Sequence, residues 1–314
     1  MTLDPAFAGM LEHINHLPGA GRAFTGSPSE WRRAVSDAIE GGRDLAQFEG
    51  LAQSEDVDLG TASIRIYRPA NPQSRATLVY FHPGGFAAGS VWLSEDVALR
   101  LVKETGACVV SVDYRLAPEH PFPAPLDDAI TAIEWVFEHV LALGGLSDQI
   151  ALVGESSGAN LAASATLEVQ KRGLRPAALL LVTPYTDMSS TFPSQRALGR
   201  GFFLTDVDLR DIREMYLGGN TAETEPKVSP ALSPDLDRFP PTIVAVAGHD
   251  PLRDDGIVFA GRLLMAGVDA SLRTYPSLIH PFFGMSQVTP VADAAMVELC
   301  ADLISVLPPH VTEE

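Results

Sequence analysis

From residue 63 onward the chain alternates between two hydrophobic rhythms. Ser63-Ile64-Arg65-Ile66-Tyr67-Arg68 is apolar at every second position, the period of a strand with one covered face. Residues 77–81 (Thr-Leu-Val-Tyr-Phe) and 107–112 (Ala-Cys-Val-Val-Ser-Val) are short continuous apolar runs, as expected of strands covered on both faces. Residues 150–153, 178–182, 242–247 and 270–275 are further strands of this kind. Between them the period lengthens. Leu126, Ala129, Ile130, Ile133, Val136, Phe137, Val140 and Leu141 share one helical face, and Gly144-Gly145 ends that helix. Further helices are expected from near Ser157, from Asp206 to Leu217 and from Arg253 to Ala266. Strands alternating with helices predict an α/β fold, a mostly parallel sheet flanked by helices.

Two stretches break this rhythm. Residues 1 to about 50 are helix-like segments separated by Gly and Pro, and read as an appendage; residues from about 186 to 241 hold one clear helix and no convincing strand. The second is expected to lie over one end of the sheet, with the first joining it as a cap on a single catalytic domain spanning 1–314. No internal repeat is visible.

Composition narrows the function classes. Lys plus Arg is 22 and Asp plus Glu is 40, a formal net charge of −18. Such a field repels phosphate backbones and anionic lipid heads, which argues against nucleic-acid or membrane-surface partners. Cys108 and Cys300 stand in apolar stretches and are expected to be buried free thiols. No apolar run approaches the roughly 18 residues of a bilayer span, and no leader pattern opens the sequence, so the expected address is the cytoplasm.

The candidate chemistry centres on Gly154-Glu155-Ser156-Ser157-Gly158. A G-x-S-x-G pattern arises by composition in roughly one chain in ten of this length. Its context makes it informative: an apolar strand leads in and a helix leads out, the elbow that exposes a nucleophilic serine. Such a serine needs a base, an orienting acid and an oxyanion hole. Phe81-His82-Pro83-Gly84-Gly85-Phe86 follows a strand, and the N–H groups of Gly84 and Gly85 could form the hole with that of Ser157. Asp250 stands just past a strand, with Asp254 and Asp255 as rivals in the following helix; His280 follows the strand at 270–275. His13, His16, His139 and His310 read as surface residues, while His82 and His249 border the site. The order Ser156, Asp250, His280 is that of an α/β-hydrolase. Nothing calls for a metal or an organic cofactor.

At these residues the sequence resembles the bacterial hormone-sensitive-lipase-like esterases. The matching motifs run from about residue 60 to 285: Tyr80-Phe-His-Pro-Gly-Gly-Phe86, Asp113-Tyr-Arg-Leu-Ala-Pro-Glu-His120, Gly154-Glu-Ser-Ser-Gly158 and Asp250-Pro-Leu-Arg-Asp-Asp-Gly256. The resemblance implies an eight-stranded α/β-hydrolase sheet with a helical cap, a catalytic triad of Ser156, Asp250 and His280, and an oxyanion hole from Gly84, Gly85 and Ser157. It further implies hydrolysis of short- to medium-chain carboxylic esters, a small-molecule ester as the partner, and frequent dimerisation. Three positions depart from the pattern: Pro83 replaces a glycine, Glu155 an aspartate and Pro281 a glycine. Phe86, Trp92, Tyr185, Phe202 and Phe203 are aromatic candidates for the pocket wall. Amidase, deacetylase and lactonase chemistry would use the same triad. A non-catalytic receptor on this fold would lack the histidine that stands here at 280.

Overall fold

The computed structural model describes residues 2–16, 26–41 and 43–308. Its strands are β1 (Ala52–Asp58), β2 (Ser63–Pro69), β3 (Thr77–Phe81), β4 (Cys108–Asp113), β5 (Ile150–Glu155), β6 (Ala178–Val182), β7 (Thr242–His249) and β8 (Ala270–Ile279). The helices are α1 (Pro5–Asn15), α2 (Pro28–Glu40), α3 (Glu95–Thr105), α4 (Ala124–His139), α5 (Ser157–Lys171), α6 (Pro193–Leu198), α7 (Asp206–Leu217), α8 (Arg253–Met265) and α9 (Pro290–Val306). The strands form one eight-stranded sheet in the order β1-β2-β4-β3-β5-β6-β7-β8. The β1–β2 and β2–β4 pairs are antiparallel; every other pair is parallel.

The strand period sorts side chains onto the two faces. Val79, Phe81, Leu152, Leu179 and Leu181 face α4, α5 and α8, where they meet Ile133, Leu161 and Phe259. Leu78, Tyr80, Val153 and Leu180 face the other way, onto α3 and α9 through Leu101, Met296 and Leu299. Each fully buried Leu or Phe contributes about 1.5–3 kcal/mol, so two covered faces supply most of the driving force. Cys108 and Cys300 are buried and free.

The periodicity did not reveal β1. Its seven residues, Ala-Gln-Ser-Glu-Asp-Val-Asp, are mostly exposed because the strand is the sheet's edge and buries almost no side chains. Its ladder to β2 and the pair Arg68–Glu55 (2.6 Å) hold it instead. The N-terminal segment also differs from an appendage. Phe7 and Leu11 of α1 are buried in the second core, Asp4 N–H donates to Ser277 O (2.9 Å), and the Asp4 carboxylate accepts the Thr289 hydroxyl (3.0 Å). In α2, Trp31 packs on Ala87, Ala88 and Ala117 beside Met215 of α7, and Arg32 donates to Ala87 O (2.7 Å) and Ala117 O (2.8 Å). Residues 17–25 and 42 of the expected cap, and His310, lie outside the described residues. The helix expected at 206–217 starts at a Thr205–Asp208 capping box and stops at Gly218, which is left-handed at φ 59°.

Candidate active site

The parallel strands deliver their carboxyl ends to one edge of the sheet, and three sequence candidates meet there. Ser156 sits between the end of β5 and the first turn of α5 at φ 57°, ψ −119°. That strained turn is wedged against β3. A Cβ on Gly158 would lie 2.1 Å from Phe81 O, and one on Gly154 would lie 2.3 Å from Gly158 O. Only glycine fits either position. The Ser156 N–H donates to Val182 O (2.9 Å), which ties the elbow to β6.

His280 leaves the end of β8 and places Nε2 3.0 Å from Ser156 Oγ. Its Nδ1 lies 3.0 Å from Asp250 Oδ2, and Asp250 Oδ1 accepts Leu252 N–H (2.8 Å). Asp250 as acceptor fixes the tautomer with the proton on Nδ1, leaving Nε2 free to accept from the serine. All three side chains are buried. Burial alone would depress the imidazole pKa; the Asp250 carboxylate and its hydrogen bond, with Glu155 beyond, outweigh it and raise it above 6.5. The rival acids are engaged elsewhere. Asp254 accepts Ser194 N–H (2.9 Å), and Asp255 accepts the N–H and hydroxyl of Thr186 at 2.9 and 2.5 Å.

Gly84 and Gly85 turn at φ 134° and 62°. Gly84 O accepts from Ala87 N–H (3.1 Å) and Ala88 N–H (2.9 Å), whereas the N–H groups of Gly84 and Gly85 enter none of the loop's own bonds. Ser157 is the first residue of α5, where the N–H has no intrahelical acceptor. The loop rests on His82, whose buried ring stacks on Tyr114 at 4.2 Å. His82 Nδ1 lies 2.8 Å from Pro83 O, and the Tyr114 hydroxyl donates to His82 O (2.8 Å). Burial lowers the His82 pKa, so its ring is a neutral support. The Asp113–His120 motif thus braces the loop from below. Arg115 in it forms a bidentate pair with Asp128 at 2.8 Å on each arm.

Glu155 stood out in the sequence only as a departure from the family pattern, with no contact assigned to it. Fully buried, it accepts Phe283 N–H (3.1 Å) and Gly284 N–H (3.1 Å), the loop that follows His280. Burial pushes its carboxyl up to about 7, against the opposing pull of His280 and the two amides. The elbow position next to the serine was its only sequence signal. The His280–Pro281 peptide is cis.

The aromatic candidates are dispersed. Phe86 is fully buried and stacks on Tyr216 at 3.8 Å. Trp92 is half-exposed under the Arg65 guanidinium, 3.9 Å from its ring centroid. Phe202 lies 5.2 Å from the ring of His249, the neighbour of Asp250; Phe203 is exposed; Tyr185 is buried beyond the end of β6. Among the described residues no cluster of three His, Cys, Asp or Glu side chains could hold a metal, and no helix is long and apolar enough to cross a membrane.

A mostly parallel sheet with a hydrogen-bonded Ser–His–Asp series at its carboxyl edge defines a hydrolase of the α/β-hydrolase fold. Residues 78–284 match the family described as alpha/beta hydrolase fold. The chain is 34% identical to the carboxylic ester hydrolase LipN of Mycobacterium tuberculosis over 96% of this chain and 82% of that protein. It is 32% identical to an ethyl acetate hydrolase of Pseudomonas putida over 95% and 97% of the two chains. Among solved structures, a hyperthermophilic esterase from Pyrobaculum calidifontis superposes with a TM-score of 0.90 at 30% identity, covering 98% of this chain and 100% of its own. The chain belongs to the hormone-sensitive-lipase-like family of α/β-hydrolases and is a hydrolytic enzyme.

Proposed function

We propose that this chain is a serine carboxylesterase that cleaves short- to medium-chain carboxylic esters through an acyl-enzyme on Ser156. The observation that carries the reading is the series Ser156 Oγ, His280 Nε2, His280 Nδ1 and Asp250 Oδ2, with 3.0 Å at both contacts. His280 takes the serine proton as Oγ attacks the ester carbonyl. Asp250 holds the tautomer and stabilises the imidazolium. The N–H groups of Gly84, Gly85 and Ser157 receive the oxyanion, a term worth about 10²–10³ in turnover per donor. The tetrahedral intermediate expels the alkoxide, which takes the proton from His280. Water, deprotonated by the same imidazole, then attacks the acyl-enzyme and releases the acid and free Ser156. The ester hydrolases named among the relatives support ester over amide substrates.

The reading includes a cap formed by residues up to about 50 and from about 186 to 241, supported by the contact of Trp31 with Met215 and Ala87. It also includes a cytoplasmic location and a homodimer, testable by fractionation and by light scattering. The decisive experiment is labelling with a fluorophosphonate followed by peptide mapping. Ser156 should carry the label, and Ser156→Ala should abolish it. Label elsewhere, or full activity in Asp250→Asn, would refute the assignment.

A further inference from the structure

The turn that carries two of the candidate oxyanion donors is held in a strained shape. Gly84, Gly85 and Phe86 have φ of 134°, 62° and 59° in succession, and Gly84 O accepts Ala87 N–H (3.1 Å) to close the turn. Glycine takes left-handed angles freely, but Phe86 carries a Cβ and a ring. A bulky residue stays in that region only where its surroundings over-determine it. The Gly84 and Gly85 N–H groups lie in rigid peptide planes, so the dihedral angles of this turn set their directions. Whatever holds Phe86 left-handed therefore aims the hole.

The Phe86 ring stacks on Tyr216 at 3.8 Å, and Phe86 O accepts Ala117 N–H (2.8 Å). A further hold comes from α2. Arg32 Nε donates to Ala87 O (2.7 Å) and Nη2 to Ala117 O (2.8 Å). The guanidinium thus bridges the same two segments that the Phe86 carbonyl joins. Glu119 orients the fork, accepting Nη1–H at 3.0 Å and Nη2–H at 2.6 Å. These bonds occupy four of the five N–H groups of an arginine. The bond from Arg32 holds the Glu119 carboxyl below 4.5, so the orienting charge persists where His280 is neutral. Trp31, the preceding residue, packs on Ala87, Ala88 and Ala117.

We propose that Arg32 is a positioning residue for the oxyanion hole: by bridging Ala87 O and Ala117 O it keeps the Gly84–Phe86 turn in its donor-presenting shape. Helix α2 then acts on turnover through the loop. The inference rests on the esterase reading and adds a residue to its machinery. It is tested with Arg32→Ala and Arg32→Lys on ethyl butyrate, an unactivated ester whose slow acylation lets KM report binding. Urea unfolding checks that each variant is folded. In Arg32→Ala kcat should fall by about tenfold to a hundredfold, approaching the loss of one hole donor, with KM within about threefold. A trifluoromethyl ketone, whose adduct on Ser156 places an oxyanion in the hole, should bind more weakly by the factor lost in kcat/KM. The acid limb of kcat/KM, set by His280, should stay in place. Arg32→Lys keeps a cation beside Glu119 but not the planar fork, and its kcat should lie between the other two. Wild-type kcat in a folded Arg32→Ala, a loss confined to KM or to stability, or undiminished ketone binding overturns this proposal alone. If Arg32→Ala does not fold, an unchanged kcat in Arg32→Lys does the same. A wild type that hydrolyses neither ethyl butyrate nor p-nitrophenyl butyrate overturns the esterase reading and this proposal with it.

Discussion

Substituting Glu155→Gln isolates one buried charge beside the candidate base. The carboxyl is fully buried and titrates near 7 instead of 4.5, because burial penalises the ionised form more than its partners favour it. An acid whose pKa is raised by folding makes the protein less stable as pH climbs from the unfolded pKa to the folded one. The difference corresponds to about 3 kcal/mol, most of which falls between pH 5 and pH 8. Glutamine carries no such penalty. It does set an NH₂ group against Gly284 N–H, where Oε2 now accepts at 3.1 Å, a pH-independent cost of about 1–3 kcal/mol. Equilibrium urea unfolding of both proteins at pH 5 and pH 8 reads the difference directly. The variant should be the less stable at pH 5 and gain roughly 2–3 kcal/mol on the wild type by pH 8. Because Glu155 helps to raise the His280 pKa, the acid limb of kcat/KM should also move to lower pH in the variant. A stability gap that stays constant within about 1 kcal/mol across this range would refute the argument.

Two further outcomes follow from the same geometry. Wild-type kcat/KM should rise as His280 loses its proton, at a pH above 6.5, while unfolding stability falls over the same range. The sign is common to three groups. His280 stabilises the fold when protonated, and the buried acids Glu155 and Asp255, both raised to about 7, destabilise it when ionised. Stability that rises steadily from pH 5 to 8 would contradict this. Gly158→Ala should cost at least about 3 kcal/mol in urea unfolding, since its Cβ would meet the backbone oxygens of Phe81 and His82 at 2.1 and 2.7 Å. A near-wild-type midpoint would mean that the elbow can relax.

Much of the fold was legible in the linear pattern because burial is periodic. Strands β2 to β8 were visible in alternation or in continuous apolar runs, and α7 was bounded by its capping box and terminal glycine. Strand β1 escaped because an exposed edge strand has no apolar face to imprint on the sequence. The short insertion helix α6 and the helices α3 and α9 were also not read. In α9 apolar residues spread around the helix, with Val291 and Val297 exposed among buried neighbours, so no single stripe stands out. The candidates Ser156, Asp250 and His280 could be nominated because each stands at the end of a strand. Their mutual distances could not be read, since 94 and 30 residues separate consecutive members and only the parallel sheet brings those ends together.

The same division holds for charge and burial. Sequence alone determined the net charge, the strand-and-helix alternation and the residue types able to carry nucleophilic chemistry. Which of Asp250, Asp254 and Asp255 faces the imidazole, and that Glu155 anchors the loop after His280, were decided by tertiary structure. Hydrogen bonds, desolvation and ion pairing act over a few ångströms in space, and separation along the chain carries no record of that distance until the sheet has closed it.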